Sequence, residues 1–314
     1  MKDRVKDKIA GCLYGQVVGD ALGLGTEFMS KTEVRRNYPD RLSKYSQIIQ
    51  DYHRKRWNKG DWTDDTDMML CIAKAIIKDR CINLETVAHN FKQWFKNRPM
   101  GIGRHTYNVL ILSDYELNPV KAAEIIWNLS NRNSASNGGI MRTSVVGLWD
   151  EDVAQNAEKI CKLTHADPRC IGSCVIVSEL INHFVWHNME LSFEDILEIA
   201  DRYDTRIQKY LLLAKNGELA DLNLDEKTTM GYTLKPLVCA VWCLYHANSF
   251  KEGLLKIVNA GGDADTNAAV ACAVLGAKYG MAGIPEYYVD SLNQKDMKDM
   301  YEYIINELTD VLLD

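Results

Sequence analysis

Glycine recurs at every fourth position from Gly11 to Gly23, inside the stretch GCLYGQVVGDALG, which carries a single charge. On a helix this spacing puts Gly11, Gly15, Gly19 and Gly23 on one stripe and leaves the stripe without side chains. A glycine inside a helix costs up to about 1 kcal/mol relative to alanine, so four of them call for a compensating contact. A bare stripe compensates by letting another backbone come very close. The segment AAVACAVLGAKYG (268–280), almost all small residues and closed by Gly280 as a C-cap, is the natural partner. The chain therefore predicts two helices in main-chain contact, one from each end of the sequence.

The remaining periodicity is helical nearly everywhere. Leu84, Val87, Phe91, Trp94 and Phe95 share one face behind Asn83 as N-cap. Asn118-Pro119 and Asp167-Pro168 each read as a cap followed by proline at the first helical position. Ser249 and Glu252 spell a capping box. No segment alternates as a strand does. The expected class is all-α, with residues 1–314 as a single domain. The polar stretch from Asn216 to Lys227 reads as a surface loop rather than a boundary.

Composition narrows the function classes. A chain of 314 residues with 46% hydrophobic and 25% charged residues builds a core without disulfides. A net charge of −6 argues against a general nucleic-acid binder. No apolar run is long enough to span a membrane and the charged N-terminus lacks a leader pattern, so a cytoplasmic protein is expected. Nine cysteines without a CxxC pair, including Cys170/Cys174 and Cys239/Cys243 on apolar helical stretches, read as buried reduced thiols.

Two acidic stretches do not read as ordinary solvated charge. GDWTDDTD (60–67) and GGDADTN (261–267) each run straight into a strongly apolar helix. One aspartate there is explained by helix capping and the macrodipole. Three carboxylates at 64–67 and a D-x-D-T at 263–266 are not, because clustered carboxylates repel and resist burial. Neither cluster contains a lysine or arginine. Hard divalent cations suit these oxygen donors, and four aspartates match the charge of two Mg²⁺ or Mn²⁺ ions.

Elsewhere the motifs are weaker. SASNGGIMR (134–142) is a small-residue loop able to turn backbone N–H groups on a phosphate, or simply an interhelical turn. No Walker motif, HExxH or G-x-S-x-G is present. Core packing is the default reading for Trp57 and Trp62, with cleft lining second. Asp67 reads as solvent-facing or as a neighbour of ligands rather than a ligand.

Taken together, GCLYGQVVGDALGLGTEF (11–28), GDWTDDT (60–66), RPMGIGRHT (98–106), SNGGIMRTS (136–144), THADP (164–168) and NAGGDADTNAA (259–269) resemble the ADP-ribosylglycohydrolase family. The resemblance covers nearly the whole chain. It implies a compact orthogonal multi-helix domain with a binuclear Mg²⁺ or Mn²⁺ centre in a cleft. By position, Thr63, Asp64, Asp65, Asp263, Asp265 and Thr266 would be metal ligands. Ser134, Asn137, Gly138 and Gly139 match the diphosphate loop, and His165 matches a histidine of the ligand cleft. Glu27 matches a glutamate beside the metals, and it or a metal-bridging aspartate such as Asp65 would activate water. Two departures stand out. Gly101 replaces an aspartate that some members use in catalysis, and Ala135 leaves no aromatic where some relatives stack the adenine.

The expected activity is metal-dependent hydrolysis of the glycosidic bond between ADP-ribose and a protein side chain or small molecule, with ADP-ribose as product. Two other readings remain at this point. One is a non-catalytic crystallin-like or ADP-ribose-binding relative. The other is a dinuclear nucleotide phosphohydrolase.

Overall fold

The computed structural model describes residues 2–292 and 295–314. In chain order its α-helices are α1 (Lys2–Gly23), α2 (Lys31–Asn37), α3 (Asp64–Asp79), α4 (Leu84–Lys96), α5 (Arg104–Leu110), α6 (Pro119–Leu129), α7 (Val153–Lys162), α8 (Pro168–Asn182), α9 (Phe193–Asp201), α10 (Thr205–Asn216), α11 (Leu234–His246), α12 (Phe250–Val258), α13 (Ala264–Tyr279), α14 (Glu286–Asp290) and α15 (Lys295–Leu313). Among the described residues there is no strand, only two isolated bridges. The class is all-α, as expected.

Helices α1 and α13 lie antiparallel at the centre with their backbones touching. A Cβ placed on Gly11, Gly15, Gly19 or Gly23 would land on the carbonyl oxygens of Gly276, Cys272, Ala268 or Ala264 respectively. The pairing brings the end of α1 to the start of α13. Both helices are buried on all sides, α1 from Gly11 to Gly23 and α13 from Ala264 to Ala277. Helices α11 and α12 pack on α13, and α15 packs on α3. One apolar core runs through them, from Val5 to Leu308.

The caps follow the chain's local signals. Asn83, Asn118 and Asp167 each accept a first-turn N–H, the latter two with proline behind them. Gly280 ends α13 at φ 74°, a left-handed conformation that suits glycine. Ser249 caps α12, but the box differs from expectation: Glu252 accepts the N–H of Asn248, one residue before the cap. After α10, residues 216–227 pass through a short 3₁₀ turn at Leu219–Leu222. The nine cysteines are all unpaired, and eight are buried. Among the described residues, no helix is long and apolar enough to cross a membrane.

The two bridges tie down loops that carry acidic or polar groups. Met29 pairs with Gly262, through Phe28 N–H to Gly262 O (2.6 Å) and Gly262 N–H to Met29 O (2.8 Å). Gly261 and Gly262 have φ of 73° and 77°, and a Cβ on either would strike the carbonyl of Met29 or Leu224. Ser136 pairs antiparallel with Tyr232 through its neighbours, Asn137 N–H to Gly231 O (3.0 Å) and Thr233 N–H to Ala135 O (2.9 Å).

Candidate active site and metal centre

Antiparallel packing of α1 on α13 sets the turn after α1, with Glu27, beside the start of α13, with Asp263 and Asp265. The start of α3 joins them. Thr63 is the N-cap of α3, and Asp64 and Asp65 open its first turn. On α13, Asp263 is the N-cap and Asp265 lies in the first turn, the positions that Thr63 and Asp65 hold on α3. All of these line one cleft of about 420 Å³, together with Thr266, Asn137 and Gly138. Ligand oxygens of Glu27, Asp263 and Asp265 lie within 4.8 Å of one another.

Burial is the main force on these carboxyls. It raises Asp263 to about 6 and Asp64 to about 7, with Glu27 and Asp20 adding repulsion at Asp64. Asp65 and Asp265 rise well above the ordinary aspartate value by burial first, then by their acidic neighbours. No cation figures among the principal influences on any of the four. Asp65 Oδ1 is buried and makes no hydrogen bond. An all-oxygen donor set with an unpartnered buried carboxylate oxygen fits a hard divalent cation, and it fits Zn²⁺ poorly.

Polar residues outside the clusters hold the clusters in shape. Asp20, buried in α1, accepts the N–H and hydroxyl of Thr63 and the N–H and hydroxyl of Thr66. Burial holds Asp20 at about 6 against these bonds, which pull it down. Gln16 donates to the carbonyls of Asp65 (3.2 Å) and Met141 (3.0 Å), tying the start of α3 to the glycine loop. Asn137 donates to Asp263 Oδ2 at 2.8 Å. Asp67 turns away, its two oxygens taken by the indole N–H groups of Trp62 (2.9 Å) and Trp94 (3.0 Å). Trp62 belongs to the core, whereas Trp57 lines the cleft.

The loop at 134–139 divides. Asn137 and Gly138 face the cleft, with Ser136, His105 and Thr106 beside them. Ser134 stands behind and braces His105, its hydroxyl 2.9 Å from His105 Nδ1. Gly139 lies against the thiols of Cys161 and Cys174. His165 is buried beneath Gly138, between the hydroxyls of Ser136 (2.9 Å) and Thr164 (2.7 Å). Burial, then neighbouring His105, drives its pKa well below the usual histidine value, so it is neutral.

The opposite wall carries Phe28, His53, Arg56 and Trp57. His53 Nε2 lies 2.6 Å from Glu27 Oε2, and Arg56 donates to His53 Nδ1 at 2.9 Å. Phe28 is 55% exposed and held at φ 60°.

The family model for ADP-ribosylglycohydrolases matches residues 1–312. The chain belongs to the ADP-ribosylglycohydrolase family. It is 25% identical over 303 residues to the ADP-ribosylarginine hydrolase Tri1 of Serratia proteamaculans, covering 92% of this chain and 76% of that one. It is 24% identical over 312 residues to the ADP-ribosyl-[dinitrogen reductase] glycohydrolase of Rhodospirillum rubrum, covering 93% and 92%. It is 23% identical over 346 residues to the ADP-ribosylhydrolase ARH3 of Bos taurus, covering 95% and 92%. A solved structure described as an ADP-ribosylglycohydrolase-related protein complex shares the fold, with a TM-score of 0.74, 22% identity and 99% of both chains covered.

Within this family the chain has its own physical reason for glycine at 101. A Cβ there would lie 2.7 Å from Asp64 Oδ1, so an aspartate does not fit without movement. Sequence reasoning missed Asp20, Gln16, His53 and Arg56. Asp20 had a signal, being the one charge inside the glycine-striped stretch. His53 and Arg56 lie in an irregular segment with no periodicity to mark them.

Proposed function

We propose that the protein is a metal-dependent hydrolase cleaving the N- or O-glycosidic bond between ADP-ribose and an acceptor, a protein side chain or a small molecule, and releasing ADP-ribose. The observation that carries this reading is the meeting of two buried acidic helix starts and Glu27 in one cleft rimmed by Asn137 and Gly138. Thr63, Asp64, Asp65, Asp263, Asp265 and Thr266 would hold two Mg²⁺ or Mn²⁺ ions. Bound there, such ions supply electrostatic stabilisation and orient ribose hydroxyls. Residues 1–314 would act as one domain in the cytoplasm, in keeping with nine unpaired thiols.

The chain's own groups account for the rest. Glu27, or Asp65 in its place, takes a proton from the attacking water as its oxygen bonds to the anomeric carbon, and that proton passes to the acceptor, which leaves with the electrons of the broken glycosidic bond. Asn137 and the main chain at Gly138, with Ser134, Gly139 and His165 supporting the loop from behind, receive the diphosphate. That remote contact holds the sugar in place while charge develops.

The test is incubation with a panel of ADP-ribosylated proteins and small molecules in Mg²⁺ or Mn²⁺, with mass detection of products. Free ADP-ribose is expected. Released phosphate would instead mark a nucleotide phosphohydrolase, and binding without turnover a non-catalytic relative.

A further inference from the structure

Glu27 is held by a directed chain of donors. Arg56 Nη2 lies 2.9 Å from His53 Nδ1, and His53 Nε2 lies 2.6 Å from Glu27 Oε2. A guanidinium has only N–H donors and is always charged, so Nδ1 must be the acceptor and carries no proton. The proton of the neutral ring is then on Nε2 and is donated to Glu27. The contact that faces away from the carboxylate thus fixes the tautomer.

Each link makes further contacts. Arg56 donates through Nε to His53 O (3.1 Å) and through Nη1 to Met100 O (3.3 Å), and its guanidinium lies 4.4 Å from the Trp57 ring centre. The His53 ring sits between Phe28 and Trp57, with centroids at 5.4 and 5.5 Å. The main chain of Glu27 is fixed as well: its carbonyl accepts from Arg54, and the next N–H is bonded to Gly262. Among the described residues Glu27 Oε1 has no hydrogen-bond partner, so one oxygen is pinned and the other is left to the cleft.

We propose that His53 is the positioning residue for Glu27: locked as the Nε2–H tautomer by Arg56, it anchors Oε2 and aims Oε1 at the reacting water. The proposal rests on the hydrolase reading above. It differs from simple packing of an aromatic ring, because it requires a donor at one particular atom.

Two variants and one spectrum test it. His53→Phe keeps the ring between Phe28 and Trp57 but removes the donor; kcat should fall about 10- to 100-fold with KM within twofold of the unmodified enzyme. His53→Gln returns an N–H at a similar reach and should recover most of that loss. Both should keep the helical circular dichroism, and calorimetry should show wild-type affinity for Mg²⁺ and for ADP-ribose. Two-bond ¹H–¹⁵N spectra of the imidazoles, with His53 assigned by its loss in His53→Phe, should show the Nε2–H tautomer alone. Arg56→Met should let the second tautomer appear. Wild-type kcat in His53→Phe, or an Nδ1–H tautomer in the unmodified protein, overturns the proposal. Failure of the hydrolase reading shows itself separately, as no ADP-ribose released by the unmodified protein from any substrate.

Discussion

Asp20 accepts both the main-chain N–H of Thr63 at 3.0 Å and its hydroxyl at 2.9 Å, across 43 residues of sequence. A carboxylate inside one helix thereby caps the start of another. The Thr63 hydroxyl spends its proton on Asp20, and its oxygen accepts the N–H of Asp65 as the N-cap of α3. Asp20→Ala should cost about 1–3 kcal/mol, since buried N–H groups of Thr63 and Thr66 lose their acceptor. It should also weaken Mg²⁺ binding. Urea unfolding without metal and titration calorimetry measure the two effects; unchanged metal affinity would mean the Thr63–Thr66 turn holds itself.

The acidic cluster gives a pH dependence of defined sign. Burial raises Asp20 and Asp263 to about 6 and Asp64 to about 7, from an ordinary 3.8. Across that window the unfolded chain has released protons that the folded chain keeps, so stability falls as pH rises. Metal-free protein should melt at a higher temperature at about pH 5 than at about pH 8. Divalent ions bind the ionised form, so saturating Mg²⁺ should raise the melting point more at the higher pH. Asp265→Asn should stabilise the metal-free protein at the higher pH and abolish the Mg²⁺ response. Differential scanning calorimetry with and without chelator decides this, and a metal-free melting point that climbs with pH would count against it.

Gly138 is constrained by space. Its φ lies outside the left-handed region, but a Cβ would sit 2.7 Å from Thr106 Oγ1 and 3.1 Å from His165 Cε1. Gly138→Val should push the loop into the cleft and raise KM about tenfold or more, as small misplacements at a reacting site do. Steady-state kinetics alongside circular dichroism test it. A collapse of helix content would assign the glycine to packing alone.

Glu27→Gln should lower kcat by about 10²–10⁴ while leaving metal occupancy and ADP-ribose affinity near wild type. Metal analysis after dialysis separates the alternatives. Lost metal would make Glu27 a ligand, and an unchanged kcat would hand water activation to Asp65.

What was legible in the chain was what is written locally. The glycine stripe, the caps before Pro119 and Pro168, and both acidic helix starts are patterns within a single turn or helix. Asp20 was hard to read because its partners lie far away in sequence, and a lone acid in an apolar helix carries no period. His53 and Arg56 sit in a stretch of turns and 3₁₀ structure, where function depends on which wall the fold brings them to. The loop at 134–139 shows the same limit. The family resemblance grouped Ser134, Asn137, Gly138 and Gly139, but only the path of the backbone decides which of them face the cleft and which stand behind it.

Because α1 and α13 meet carbonyl to Cα, the interval between the Glu27 turn and the aspartates of α13 is gauged by peptide units, whose dimensions are the same in every protein. One methyl group at Gly15 or Gly19 would strike the carbonyl of Cys272 or Ala268 and prise the two helices, and the acidic cleft with them, apart.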